Sequence, residues 1–176
     1  MEFNPAKVQA YRLIGYESRL LEAKDFNDDT KDAGEMGAGH SVTALYEIIP
    51  VGVKSNFIPS IDPLKYQKTE KNEKKTLTDS PELLTVKLRY KQPESHKSSK
   101  MEVTIIDNNT PLKKSSENFR FSAAVAGFGM LLQNSEYKNN FTFDDIIDLA
   151  KQATNYDPEG YRKEFIRLVE SAALLK

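Results

Sequence analysis

Short hydrophobic runs that alternate, cleanly or roughly, lie only in the first two-thirds of this chain, and helical spacing takes over in the last third with no return to the first pattern. Strands first and helices after, rather than alternating, argue against the doubly wound nucleotide-binding arrangements. They predict an α+β fold, with an antiparallel sheet of about four strands followed by about three C-terminal helices packed on it. At 176 residues the expectation is one α+β domain over 1–176, mainly β over 1–118 and helical over 119–176.

The first strand is expected from Val8 to Tyr16, rich in β-branched and aromatic residues with rough alternation. A second runs from Ser41 to Pro50, where proline ends the ladder. The cleanest alternation is Leu84, Val86, Leu88 and Tyr90 against Thr85, Lys87, Arg89 and Lys91, which predicts one buried face and one cationic face. Met101, Val103 and Ile105 continue the pattern after the polar Gln92 to Lys100 stretch and are expected to face the same core as a hairpin or meander. Between these strands, residues 51–82 form a lysine-rich excursion with Lys65, Lys68, Lys71, Lys74 and Lys75, too polar to bury.

In the last third, Phe121, Val125, Phe128 and Leu132 share one face of a helix that is apolar nearly all round, and is expected to be the most buried. Gly127 and Gly129 inside it cost about 1 kcal/mol each relative to alanine, which predicts close packing at those positions. Thr142 reads as the N-cap of a second helix over about 143–154, with Asp145 three residues on and Phe141 and Ile146 as a hydrophobic staple. Asp157 and Pro158 read as the cap and first residue of a third helix carrying Tyr161, Phe165, Leu168, Val169 and Ala172 on one stripe.

Basic and acidic residues nearly balance, 25 against 26, so no overall field draws the chain to nucleic acid or anionic lipid. The balance is local: residues 1–50 carry a net charge of −4, residues 51–118 carry +4, and residues 119–176 carry −1. The lysine-rich excursion lacks the aromatic interleaving that stacks bases, so no nucleic-acid partner is expected. The absence of cysteine excludes disulfides, thiolate metal sites and cysteine nucleophiles. No stretch reaches the roughly 20 apolar residues of a membrane helix. An apolar pattern already under way at Phe3 and Val8 leads us to expect a piece of a longer protein.

The densest polar group lies between Asp25 and His40. Asp25, Asn27, Asp29 and Asp32 offer oxygen ligands of the kind a calcium ion takes. The segment is not an EF-hand, because Thr30 stands where the loop needs glycine and Met36 where it needs a bidentate glutamate. Gly34, Gly37 and Gly39 lack a following Lys-Ser/Thr and sit behind four aspartates, so they read as backbone freedom at the entry to the second strand, not as a phosphate cradle. His40 beside Ser41 has no nucleophile elbow, and His96 stands 56 residues away in a Lys- and Ser-rich loop, so neither catalysis nor zinc is expected.

Two stretches carry a family likeness: AYRLIGYESRLLEAKDFNDDTKDAGEMGAGHSVTALYEIIP, from Ala10 to Pro50, and FSAAVAGFGMLLQNSEYKNNFTFDDIIDLAKQA, from Phe121 to Ala153. Together with the closing DPEGYRKEFIRLVESA, they resemble the C-terminal region of bacterial von Willebrand factor type A domain lipoproteins of the YfbK kind. The resemblance covers most of the chain apart from the lysine-rich excursion and the Gln92 to Lys100 loop. It implies an upstream von Willebrand domain and lipid anchor and an extracytoplasmic, membrane-tethered setting in the cell envelope. The family's D-x-S-x-S metal site has no counterpart in this sequence.

These readings lead to one expectation and one alternative. The expectation is a non-enzymatic C-terminal module, with no cofactor, that docks on the upstream von Willebrand domain or on another envelope protein. Contact with the membrane would come only through the upstream anchor. The alternative is a calcium- or small-ligand-binding domain that uses the Asp25 to His40 loop.

Overall fold

The structure, a computed structural model, describes residues 1–16, 26, 36–37, 39–58, 80–95 and 97–175. It is α+β. The chain divides into two units, residues 1–42 with 46–108 and residues 43–45 with 109–176.

Five strands lie among the described residues: β1 (Glu2–Phe3), β2 (Val8–Ile14), β3 (Leu45–Pro50), β4 (Glu82–Tyr90) and β5 (Ser99–Ile106). They form two sheets, one of order β1-β4-β5 and one pairing β2 with β3. β2 stops two residues earlier than the sequence suggests, because Gly15 and Tyr16 turn into the left-handed region with φ of 72° and 60°. β3 begins at Leu45, so Ser41 to Ala44 precede the ladder. Its hold on β2 includes the Val51 amide donating to Lys7 (2.9 Å) and Arg12 Nε donating to Glu47 Oε2 (2.6 Å).

The β4–β5 hairpin pairs Leu84 with Ile105, Val86 with Val103, Leu88 with Met101 and Tyr90 with Ser99 on one face. Thr85 with Thr104, Lys87 with Glu102 and Arg89 with Lys100 make the other. A register shift between Glu82 and Leu84 leaves Leu83 as an extra residue, whose carbonyl accepts from the Asn4 amide (2.9 Å). β1 adds Phe3 opposite Leu84, and its ring stacks on Tyr11 (4.1 Å between centroids) and tilts against Tyr46 (5.9 Å). Apolar cover therefore reaches the Phe3–Leu84 end of the face.

The helical unit holds α1 (Glu117–Leu132), α2 (Phe143–Lys151) and α3 (Tyr161–Leu174), with short 3-10 turns at Leu112–Lys114 and Glu136–Lys138. Its core is Ala124, Phe128 and Leu131 of α1, Ile146, Ile147 and Ala150 of α2, and Ile166 and Val169 of α3. On α1, Phe128 lies in the core and Phe121 packs against it as expected, but Val125 and Leu132 are exposed and the seam runs instead through Ala124 and Leu131. On α3, Tyr161 and Leu168 also face outward while Ile166 is buried. Edge-on contacts of Phe128 with Phe143 (6.2 Å) and Phe165 (5.6 Å) tie the three helices together.

The start of α2 follows the sequence reading. Asp145 N–H donates to Thr142 Oγ1 (3.2 Å), while Thr142 N–H donates to Asp145 Oδ2 (2.9 Å), a complete capping box. α3 begins later than expected, with Gly160 as its N-cap at φ 76°. Asp157 still serves the helix from outside: its two carboxylate oxygens accept from the amides of Arg162 and Lys163, both at 3.1 Å. The longer turn arises because Gly160 reverses the chain in a conformation that leaves Asp157 within reach of the first-turn donors.

Candidate functional site

The alternation of β4 and β5 is present, but the face it builds is not buried. Leu88, Tyr90, Met101, Val103 and Ile105 are between 41% and 48% exposed. Contrary to expectation, this face meets no core among the described residues, which offer it little apolar cover. Phe3, Tyr11 and Tyr46 gather at the Leu84 end, and the Gln92 to Ser98 connection between the strands is polar. Among the described residues of the β unit, Val8 alone is a fully buried hydrophobic, whereas the helical unit holds its own continuous core.

The opposite face of the hairpin is charged and partly paired. Lys87 Nζ lies 2.6 Å from Glu2 Oε2 and 3.6 Å from Glu102 Oε1. The hydrogen bond and charge of Lys87 hold the Glu2 carboxyl below its usual range, and the same hydrogen bond and charge from Glu2 raise Lys87. Lys100 is directly opposite Arg89, a like-charge pair across the strands. A depression of about 460 Å³ is lined by Phe26, Lys87, Leu88, Lys100, Met101 and Glu102. It combines apolar surface with two cations and one carboxylate, and brings no base beside a nucleophile.

The four calcium candidates, Asp25, Asn27, Asp29 and Asp32, lie outside the described residues, as do Gly34, His96 and the lysines of the 51–82 excursion named above. Within the same loop, Gly37 and His40 are described. The His40 amide donates to the Gly37 carbonyl (3.1 Å), and a Cβ on Gly37 would meet His40 Nδ1 at 2.8 Å. Gly39 between them has φ 75°, so these two glycines supply close approach and a left-handed turn. Among the described residues no group of three or more His, Cys, Asp or Glu side chains could hold a metal ion. No helix among them is long and apolar enough to cross a membrane.

An α+β chain with a three-helix core and a half-bare hairpin, and no gathered reactive set among its described residues, is described by one protein family along nearly its whole length. The family described as "Uncharacterized protein YfbK, C-terminal" matches residues 1–175, and the chain belongs to it. A curated relative, "Uncharacterized protein YfbK" of Escherichia coli (strain K12), is 44% identical over 172 residues, 98% of this chain. The chain spans 28% of that relative's length. No solved structure matches it.

The alternation in the sequence marks the residues of this face but not its exposure. The signal was available: an apolar row flanked on both sides in sequence by polar, lysine-rich segments has little of its own chain to pack against.

Proposed function

We propose that this domain is a non-enzymatic docking module, the C-terminal part of a cell-envelope protein of the von Willebrand factor type A kind. The apolar face of β4–β5 is the surface that docks, and the upstream part of the same polypeptide is its occupant. The observation that carries this reading is the row Leu88, Met101, Val103 and Ile105, apolar side chains fixed on paired strands and standing about half in solvent. A rigid ladder presents such a row with little ordering cost on binding. The length of the E. coli relative beyond the matched part supplies the material for an occupant, since the matched part is 28% of it.

The reading carries with it an extracytoplasmic setting, tethering through an upstream anchor, and no cofactor. The test is association in trans. The upstream part of the full-length E. coli relative, mixed with this domain, should bind it, and Leu88→Lys with Val103→Lys should remove the binding. Binding to another envelope protein in place of the upstream part would move the occupant to that partner. A calcium-dependent thermal shift abolished by Asp25→Ala with Asp29→Ala would replace the docking reading with the ligand-binding alternative.

A further inference from the structure

The hairpin has an edge as well as a face. β5 is the last strand of its sheet, and no strand among the described residues pairs with its outer side. All eight of its residues, Ser99 to Ile106, are exposed. An edge of this length is a template for another strand unless its side chains forbid the pairing. Lys100 and Glu102 are the charges on that edge, two residues apart and on the same face.

We infer that β5 pairs antiparallel with β5 of a second copy of this chain, in the register that sets Lys100 of each copy opposite Glu102 of the other. Charge and pleat together select that register. A shared apolar face requires residues of like face to stand opposite one another. Of the registers that keep this match, centring the pair on Lys100 opposes lysine to lysine, centring it on Glu102 opposes glutamate to glutamate, and centring it nearer Ile106 sets neither charge opposite the other. Centring it on Met101 places Lys100 opposite Glu102 twice, by two-fold symmetry.

The same register resolves a conflict inside each sheet. Lys100 stands opposite Arg89 and forms no ion pair among the described residues. A second copy brings a carboxylate to its other side, so that the polar row reads Lys87, Glu102, Lys100 and Arg89 across the junction. On the opposite face, Met101 meets Met101, and the apolar rows of the two copies become one continuous surface. The edge is thus used without consuming the face assigned to docking, and the dimer does not depend on that assignment.

The ladder is short, running from Ser99 to Val103 of each copy, so the dimer should form reversibly with rising concentration. Light scattering on the whole chain, without any upstream part, should show a mass that climbs from one chain towards two. Lys100→Glu alone and Glu102→Lys alone each weaken the dimer about tenfold or more, because each sets like charges opposite twice. An equimolar mixture of the two variants should form a mixed dimer, since both of its pairs are again opposite in sign. High salt should weaken the wild-type dimer, a readout that needs no variant. A chain that stays monomeric at every concentration overturns the inference, as does a dimer that survives both single swaps.

Discussion

A Cβ built on Gly127 in α1 would lie 2.4 Å from Cε1 of Phe141, closer than real carbon atoms approach. The glycine is therefore the socket for the ring that precedes α2. Phe141 packs against the helical core, and the capping box at Thr142 immediately follows it, so the ring and the helix start are positioned together. Gly129, two residues on in the same helix, has nothing within 4 Å of its absent Cβ.

The two glycines should respond oppositely to the same substitution. Gly127→Ala should destabilise the protein by about 1–3 kcal/mol through overpacking, even after the gain in helix propensity. Gly129→Ala should stabilise it by up to about 1 kcal/mol. Urea midpoints measure both. Adding Phe141→Leu to Gly127→Ala should recover part of the loss, because the ring is what the new methyl meets.

The capping box makes a pH-dependent contribution of known sign. Hydrogen bonds from the Thr142 hydroxyl and then from its amide hold the Asp145 carboxyl below its usual range. A carboxylate with a lowered folded pKa stabilises fully above its unfolded value of about 3.9, and the contribution is lost as pH falls through the folded value. The difference in melting temperature between wild type and Asp145→Asn should therefore be constant near neutrality and shrink below pH of about 4. Thr142→Ala should cost about 1 kcal/mol at neutral pH.

Stability should reside in the helices. Ile146 is fully buried among α1, α2 and α3, so Ile146→Ala should cost about 2–5 kcal/mol. Leu88→Ala, on a side chain that stands half in solvent, should change the unfolding free energy by less than about 1 kcal/mol. Equal costs at the two positions, read by denaturant unfolding, would mean that the hairpin face is covered in solution.

Local chemistry was the part most legible in the sequence. The Thr142–Asp145 box, the order of strands before helices and the β4 alternation each depend on neighbours a few residues apart, and each is where the pattern puts it. What the pattern could not carry was the environment of a face. Period two states that Leu88 and Val86 share a side; whether that side meets a core depends on segments far away in sequence. The same limit explains α1, where nearly every position is apolar and the seam through Ala124, Phe128 and Leu131 is chosen by α2 and α3. The start of α3 was hidden because Asp157 caps amides five and six residues ahead, across a turn made at Gly160. The acidic loop residues Asp25, Asn27, Asp29 and Asp32 fall outside the described part of the structure.

The docking claim is tested most directly by titrating the isotope-labelled domain with the upstream part of the E. coli relative and following its amide resonances. Saturable shifts centred on Leu88, Tyr90, Met101, Val103 and Ile105, absent in the Leu88→Lys, Val103→Lys variant, are the result expected. Saturable binding that leaves those amides unmoved, or no binding at millimolar concentration, would contradict it.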